Sequence, residues 1–330
     1  MIINADILPL IAAGLINSTF VIPPRYIQHV PMEKIWFIYT IMGLLILPWI
    51  YLTPTFSDAI HLYLSLDKSI FMFLLFIGIL FGISQVCFSY ALRYVGIALS
   101  FSVNLGISVV IGSLYVIFYR HLFFTKNGLI ATFAVFLIVC GLIMHYFVSK
   151  KNQATQSHPA DGQIHRIGWL LAISAGIGSG LQNIAFVTTL SYAPTTAQTL
   201  SSFWVWPPFL LAAAIPMLTL YWLKGNKFSL RPNMQMSKII LFKNLFLITL
   251  MGAFSTGSLS LYSFAINRLS PAEQIIGWPT FMVSIILCSQ WWEWFYLDKI
   301  EKNKPINPYK IVTISLYICA IIILTTLHIT

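Results

Sequence analysis

Amide side chains stand inside long apolar stretches of this sequence, where a polar group is costly unless it faces a cavity or the interior of a helix bundle. The amides in question are Asn17, Gln85, Asn104, Gln182 and Gln274. An amide carries hydrogen-bond donors and acceptors, which suit the hydroxyl or carboxylate groups of a small solute. The sequence therefore predicts that these five residues belong to a substrate-binding site.

Serines extend the amide positions into helical stripes. Ser100, Asn104 and Ser108 share one face of a predicted helix, because residues at i and i+4 lie above one another. Such a stripe either lines a solute path or joins two helices through hydrogen bonds, each worth about 0.6 kcal/mol on average. Both interpretations stay open for each serine.

Three tryptophans, Trp204, Trp206 and Trp278, lie deeper in apolar stretches than the other seven. An aromatic face is a platform for the C–H surface of a sugar or for a cation. Pro207 and Pro208 follow Trp206, and a broken helix is tolerated in a membrane where the freed backbone lines a cavity. We assign Trp206 and Trp278 to the predicted binding site; an interfacial aromatic belt is the alternative.

An ion-coupled carrier needs a titrating group, and the chain contains nine acidic residues. Seven of them, Glu33 included, are assigned to loops or to the edge of a span. Glu273, near the start of a predicted span, is the predicted proton-coupling residue, because a carboxylate in a partly dry site exchanges its proton near neutral pH. The alternatives for Glu273 are an ion pair with Arg268 and a carboxylate favoured by a helix N-terminus. Glu293 is interpreted as an interfacial anchor, and which of the two glutamates titrates stays open.

The elements that must hold these residues are transmembrane helices. The chain is 58% hydrophobic and 8% charged, with a mean hydropathy of +0.83, whereas a soluble domain is about half apolar and a quarter charged. A span takes about 20 mainly apolar residues. The predicted fold class is therefore an all-α polytopic membrane protein with ten spans. These spans are 5–23, 35–53, 69–92, 97–119, 127–148, 167–190, 196–222, 243–266, 272–296 and 310–328.

Lysine and arginine are unevenly divided between the loops on the two sides of these spans. Fifteen follow odd-numbered spans and four follow even-numbered spans. Because short basic loops remain in the cytoplasm, both termini are predicted on the non-cytoplasmic side. The net charge of +10 then reflects the orientation of the protein in the membrane, and its expected partner is the anionic lipid headgroups. No nucleic-acid partner is expected.

The ten spans divide into two sets of five around a polar segment. The predicted domains are a first repeat at 1–148, a cytoplasmic linker at 149–166 and a second repeat at 167–330. With five spans per repeat, the second copy enters the bilayer from the opposite face, as in transporters whose site lies between the halves. Aligning the corner after the third span with the corner after the eighth places Asn104 opposite Trp278.

Short motifs in both repeats resemble those of a known family. The motifs are Val30-Pro31-Met32-Glu33-Lys34-Ile35-Trp36, Leu47-Pro48-Trp49, Phe81-Gly82-Ile83-Ser84, Leu92-Arg93-Tyr94-Val95-Gly96-Ile97-Ala98, and Arg268-Leu269-Ser270-Pro271-Ala272 through Gly277-Trp278. On these residues the chain resembles the drug/metabolite transporter superfamily and, within it, the L-rhamnose/proton symporter branch. The resemblance implies two inverted five-helix repeats, an acidic residue near Glu273, and a multi-pass protein of the bacterial inner membrane.

The leading hypothesis is a secondary transporter that carries a small polar, sugar-like solute by proton-coupled symport and alternating access. Its partners are then the solute, a coupling ion expected to be the proton, and the lipid bilayer, with the protein a monomer or a homodimer. The alternative is an exporter of amino acids, drugs or other metabolites. A membrane-embedded enzyme is the further alternative, although the sequence has neither His-Glu-x-x-His nor an Asp-rich motif. The four cysteines lack metal-ligand spacing, so no metal site is expected. No cofactor and no catalytic residue are predicted either.

Overall fold

The computed structural model describes residues 7–154, 159–193, 201–225, 237–270, 273–295 and 308–326. These residues form α-helices, short 3-10 turns, one π-helical segment and loops, and no strand occurs among them. The α-helices are α1 (Leu8–Thr19), α2 (Met32–Tyr39), α3 (Leu47–Leu52), α4 (Phe56–Ser65), α5 (Lys68–Val95), α6 (Ile97–Tyr119), α7 (Lys126–Ala154), α8 (Pro159–Ser191), α9 (Trp206–Gly225), α10 (Lys238–Arg268), α11 (Gly277–Phe295) and α12 (Pro308–Thr326).

Nine helical stretches in these residues are long and apolar enough to cross a membrane. They coincide with the second to tenth predicted spans, so the prediction of an all-α polytopic membrane protein is confirmed. The first predicted span, 5–23, is shorter than expected, because its helix α1 has 12 residues. Such a helix rises about 18 Å, against a hydrocarbon core of about 30 Å. Pro23 and Pro24 start a 3-10 turn after it, since proline has no N–H with which to extend an α-helix.

The predicted linker, 149–166, is more helical than expected. α7 continues to Ala154 and α8 begins at Pro159. Alanine, lysine and glutamine favour helices, and proline is well placed at a first helical position, so both helices extend into the polar segment. Several predicted segments lie partly outside the described residues, namely at 5–6, 155–158, 196–200, 272, 296 and 327–328.

A π-helical segment, Thr40–Ile46, interrupts the second spanning stretch. Pro48 lacks the N–H that an α-helix needs there, and the N–H of Leu47 bonds five residues back. In an α-helix, the N–H of Leu47 would instead bond to the carbonyl of Gly43. That carbonyl accepts a hydrogen bond from the hydroxyl of Thr256 in α10 at 3.0 Å. π-helical turns are frequent at functional sites.

The long helices form a bundle in which α7 and α12 pack against each other. α5 packs on α8 and α9, and α10 packs on α1 and on the stretch 32–52. α6 packs on α8, α11 packs on α1, and α6 and α11 pack together. The long helices other than α7 and α12, with α1 and the stretch 32–52, are thereby brought around one central space.

Glycines allow α1 and α8 to touch the backbone of other helices. A Cβ atom added to Gly14 of α1 would lie 2.8 Å from the carbonyl oxygen of Phe281 in α11. A Cβ atom added to Gly176 of α8 would lie 2.7 Å from the carbonyl oxygen of Asn104 in α6. Small residues at such crossings are typical of membrane helix packing.

α5 and α9 cross closely at Gly82. A Cβ atom at Gly82 would overlap the carbonyl oxygen of Ala213, whereas one at Gly257 of α10 would meet the hydroxyl of Tyr51 at 3.5 Å. We expect Gly82→Ala to lower the free energy of unfolding by about 1–3 kcal/mol through overpacking. Gly257→Ala should leave it unchanged or raise it by up to about 1 kcal/mol, because alanine favours a helix. Thermal unfolding of the two variants in detergent compares them, and equal midpoints would contradict this crossing.

The two ends of α5 are fixed by local chemistry. Gly96 forms the corner to α6 with a φ of 80°, in the left-handed region that glycine tolerates, and the tight corner predicted there is confirmed. At the other end, Asp67 accepts a hydrogen bond from the N–H of Ser69 at 2.7 Å. Hydrogen bonds from the Ser69 hydroxyl and N–H lower the pKa of the Asp67 carboxyl below its ordinary value.

Candidate functional site

A central cavity lies among helices from both halves of the chain. Its space, the opening included, is about 750 Å³. It is lined from α1, the stretch 32–52, α5, α6, α8, α9, α10 and α11. Among the described residues, none from α7 or α12 lines it. The cavity therefore occupies the space at the centre of the bundle.

Four of the seven predicted substrate-binding residues line this cavity, namely Asn17, Gln85, Asn104 and Gln182. They come from four helices, α1, α5, α6 and α8, and are far apart in sequence. Within the described part of the chain, the amides of Gln85 and Gln182 have no hydrogen-bond partner. Both amides are therefore open to a solute.

The other two amides in the cavity are oriented by hydroxyl groups. The amide nitrogen of Asn17 donates to the hydroxyl of Ser258 at 2.7 Å. The hydroxyl of Ser179 donates to the amide oxygen of Asn104 at 3.0 Å. Asn17 is left with its oxygen as an acceptor and Asn104 with its nitrogen as a donor, a pair that suits the hydroxyl groups of a solute.

Five phenylalanine rings contribute to the remaining cavity wall. Those that line it are Phe20, Phe81, Phe88, Phe101 and Phe281. An apolar wall with a few placed polar groups is the common form of a small-molecule site, because the wall excludes water and the polar groups fix orientation. The cavity thus combines surfaces for C–H groups with amides for hydroxyl groups.

A first aromatic layer forms one end of the cavity. It consists of Phe20, Trp36, Tyr39, Phe88 and Tyr221. Trp36 stacks on Tyr221 with ring centroids 6.4 Å apart and meets Tyr39 edge-on at 5.2 Å. The hydroxyl of Tyr221 donates to that of Ser89 at 2.8 Å, which joins α9 to α5 at this end.

A second aromatic layer contains the predicted site residues Trp206 and Trp278. It consists of Phe186, Trp206, Tyr262, Trp278 and Phe281. Trp206 is fully buried, stacks on Phe186 with centroids 4.6 Å apart, and donates its indole N–H to Ser263 at 2.8 Å. Trp206 is not among the residues that line the central cavity. On α9 it lies about 22 Å from Tyr221 of the first layer, so the two layers are at opposite ends.

Gln274 and Trp278 line a second, smaller pocket instead of the central cavity. Its space is about 340 Å³. The guanidinium of Arg120 donates to the amide oxygen of Gln274 at 2.8 Å. The amide nitrogen of Asn183 donates to the carbonyl of Gly112 at 3.1 Å, and the buried amide oxygen of Asn183 has no partner among the described residues. Asn183, beside Gln182 in an apolar run, was the sequence signal for this pocket.

Glu273 lies at the start of the 3-10 turn that precedes α11, and its carboxylate caps that turn. Oε2 of Glu273 accepts a hydrogen bond from the N–H of Ser270 at 2.8 Å. The N–H of Glu273 in turn approaches the hydroxyl of Ser270 at 3.4 Å. This reciprocal arrangement is a capping box, which fits the helix-start alternative. The side chain of Glu293 lies outside the described residues.

Glu33 is placed differently from its sequence assignment, because it is not in a loop. It lies in the first turn of α2 and is 6% exposed. The hydroxyl of Tyr90 in α5 donates to its Oε1 at 3.3 Å. Pro31 before the helix and an acidic residue in its first turn are an N-terminal helix signature that could have located Glu33.

Nearly the whole chain matches a known protein family. A family model described as the L-rhamnose-proton symport protein matches residues 2–329. The chain belongs to this family. Family membership places it among transport proteins and agrees with the expectation that it is not an enzyme.

Individual relatives carry the same description at low identity. The L-rhamnose-proton symporter of Citrobacter koseri is 21% identical over 290 residues, 82% of each chain. That of Klebsiella pneumoniae is 23% identical over 172 residues, which are 51% of this chain and 50% of that protein. This chain thus matches about half the length of the Klebsiella relative and most of the Citrobacter relative.

One solved crystal structure of a protein superposes on this chain with a TM-score of 0.51. The two chains are 15% identical, and the superposition covers 98% of each. At that identity the likeness concerns the fold alone.

Proposed function

We propose that this protein is a secondary transporter that carries a sugar-like solute together with a proton, with the central cavity as the solute site. The observation that carries the proposal is the convergence of four amides, Asn17, Gln85, Asn104 and Gln182, on one aromatic-walled cavity. Aromatic faces suit the C–H surface of a sugar, and amides suit its hydroxyl groups. The solute class and the proton are taken from the family and from relatives named L-rhamnose-proton symporters.

Two inverted five-helix repeats, at 1–148 and 167–330, are part of this proposal, with α1 as the first of ten spans. The packing supports it, because contacts made by one half have counterparts with the halves exchanged. α5 packs on α8 and α9, as α10 packs on α1 and the stretch 32–52. α6 packs on α8 as α11 packs on α1. The pairs α6–α11 and α7–α12 each join equivalent helices of the two halves, so exchanging the halves leaves them unchanged. A two-fold axis in the membrane plane produces this pattern.

The glycines at two helix crossings indicate which residues of the two repeats are equivalent. Gly14 meets the carbonyl of Phe281, and Gly176 meets the carbonyl of Asn104, in equivalent positions. The proposed axis therefore relates Asn104 to Phe281 rather than to Trp278, the partner that the corner alignment predicts. The difference is three residues, close to one helical turn. Asn104 and Phe281 both line the central cavity.

Alternating access follows if the two aromatic layers are gates that open in turn. The first layer ties α9 to α5 and the second ties α9 to α8 and α10, so rocking the halves would loosen one layer while tightening the other. The second pocket, with Gln274 and Trp278, then lies on the solute path beyond the second layer. Trp206 would shape that gate without touching the solute.

The orientation of the protein is proposed from its charges. Loops after odd-numbered spans carry fifteen of the lysines and arginines, which places the first aromatic layer toward the cytoplasm and both termini outside. The proposed location is the bacterial inner membrane, as a member of the drug/metabolite transporter superfamily. A reporter fused after Thr330 tests this orientation, and a cytoplasmic signal would contradict it.

The function is tested by uptake into proteoliposomes. We expect radiolabelled L-rhamnose, or another sugar of a panel of hexoses and deoxyhexoses, to accumulate when the outside is made acidic. Sugar uptake that ignores the pH gradient would contradict proton coupling. Transport of amino acids or drugs in place of every sugar would favour the exporter alternative.

Glu273 is the coupling residue that the sequence predicts, and one substitution tests that prediction. Glutamine supports a capping box as glutamate does, so Glu273→Gln keeps the cap to Ser270 and removes the titrating group. Because its carboxylate is engaged in the cap, we expect Glu273→Gln to accumulate sugar to within about twofold of the unchanged protein. Loss of gradient-driven accumulation, with binding intact, would assign the coupling proton to Glu273.

A further inference from the structure

Glu33 is a buried carboxylate at one end of the bundle, outside the central cavity. Among the acidic side chains that the structure describes, it alone is buried, at 6% exposed. Asp58 and Asp67 are exposed, and Glu273 is half-buried. Burying an ionised carboxylate is costly unless it is paired and hydrogen-bonded, so its surroundings indicate what it does.

The groups around Glu33 come from three helices. The hydroxyl of Tyr90 in α5 donates to Oε1 of Glu33 at 3.3 Å. The ammonium nitrogen of Lys224 in α9 lies 4.3 Å from the centroid of the Tyr90 ring. α2, α5 and α9 thus meet at one carboxylate, one phenol and one ammonium group.

Other titratable groups near this cluster are exposed, partly exposed or bonded elsewhere. Arg93 and Tyr94, at the end of α5, are exposed, and Lys34 follows Glu33 in α2. On α9, Tyr221 donates to Ser89. α10 also packs on α2, and there Lys243 is exposed. The nearby charges are cationic, so a proton on Glu33 changes the charge balance of the whole cluster.

The same three helices carry residues that line the cavity. Tyr39 lies six residues beyond Glu33, Gln85 five before Tyr90, and Met217 seven before Lys224. These separations correspond to about 7–11 Å along each helix. The first aromatic layer fills the space between. A change at the Glu33 cluster can therefore reach the cavity through three rigid helices at once.

We propose that Glu33 binds the proton that is transported with the solute. When the cavity is open to the outside, the carboxylate takes a proton from water that has entered with the solute, an O–H bond forms, and its charge is neutralised. The neutral acid accepts a weaker hydrogen bond from the Tyr90 hydroxyl and no longer offsets the positive charge of Lys224, so α5 and α9 are loosened from α2. When this end opens to the cytoplasm, the O–H bond breaks, the proton passes to cytoplasmic water, and the ionised cluster is restored. This inference rests on the proposed function.

The test is Glu33→Gln in proteoliposomes with radiolabelled L-rhamnose. Glutamine has the shape of the protonated acid and cannot exchange a proton. We expect accumulation driven by a pH gradient to fall by about tenfold or more, a usual size for coupling between two sites. Exchange of labelled for unlabelled L-rhamnose at equal pH needs no net proton movement, and we expect it to stay within about threefold of the unchanged protein.

Two further variants make the outcome decisive. Glu33→Asp restores a titrating carboxyl, so it should recover accumulation above the Glu33→Gln level, and Asp58→Asn, at an exposed carboxyl of α4, should accumulate normally. Normal accumulation by Glu33→Gln would overturn the proposal. So would a parallel loss of exchange and accumulation that Glu33→Asp does not repair, since Glu33 would then serve only the fold. Absence of exchange in the unchanged protein would contradict the proposed function itself, before any variant is measured.

Discussion

Replacing Asn104 by leucine is expected to lower L-rhamnose uptake by roughly 10- to 100-fold, because an unpaired polar group in a buried site costs about 1–3 kcal/mol and each 1.4 kcal/mol is tenfold. Asn104 lines the cavity with its amide oxygen held by Ser179. Leucine has a similar volume and no hydrogen-bonding group, so a sugar hydroxyl that met the amide would be left without a partner. The initial rate of uptake against sugar concentration measures the loss.

Ser179→Ala is the matched control for Asn104→Leu. It removes the same hydrogen bond between α8 and α6 but leaves the amide of Asn104 in the cavity. We expect uptake by Ser179→Ala to stay within about threefold, because a single interhelical hydrogen bond is worth about 0.6 kcal/mol. Equal losses in the two variants would show that Asn104 acts through helix packing and not through the solute.

Replacing Trp206 by alanine is expected to destabilise the protein by about 3–5 kcal/mol, the usual cost of removing a buried aromatic side chain. Trp206 is fully buried, stacked on Phe186 and hydrogen-bonded to Ser263. Alanine would leave a cavity in the second aromatic layer and an unpaired serine hydroxyl. Thermal unfolding of the purified protein in detergent measures the change.

Trp222→Ala, on the same helix, is the control for Trp206→Ala. Trp222 is 56% exposed, so we expect its removal to change the free energy of unfolding by about 0.5 kcal/mol or less. A Trp206→Ala protein that is as stable as Trp222→Ala but fails to bind sugar would contradict the packing role of Trp206. It would instead assign Trp206 to the substrate site.

Apolar run length predicted the long spanning helices. Nine of the ten predicted spans coincide with long apolar helices in the described residues, because a membrane requires one such run for each crossing. The length of α1 was not predictable from hydropathy, because the apolar run continues past Thr19 into a 3-10 turn. The π-helical segment Thr40–Ile46 was also missed, although Pro48 was its signal.

The candidate site was only partly predictable, for a geometric reason. Amides in apolar runs pointed to Asn17, Gln85, Asn104 and Gln182, because a polar group in the bilayer needs a cavity or a partner. Sequence does not tell at which depth each helix crosses another. Gln274 and Trp278 were therefore grouped with the central cavity, although they line the second pocket.

The burial of Glu33 was also not predictable from the sequence. Charge alone assigned it to a loop, and its burial follows from α9 and α10 packing on α2 and from the Tyr90 side chain of α5. For Glu273, the sequence also carried a signal for its hydrogen bonding. Its neighbour three residues earlier, Ser270, forms a capping box that the sequence Ser-x-x-Glu already contains.

Proton-coupled symport is tested most directly by measuring whether protons enter together with the sugar. Proteoliposomes containing the protein and a trapped pH-sensitive dye, with equal pH on both sides, are mixed with L-rhamnose and then with each sugar of the panel. With proton-coupled symport, a transported sugar acidifies the interior, and Asn104→Leu suppresses the acidification. Sugar entry without a change in internal pH, or no entry of any sugar, would contradict proton-coupled symport through the central cavity.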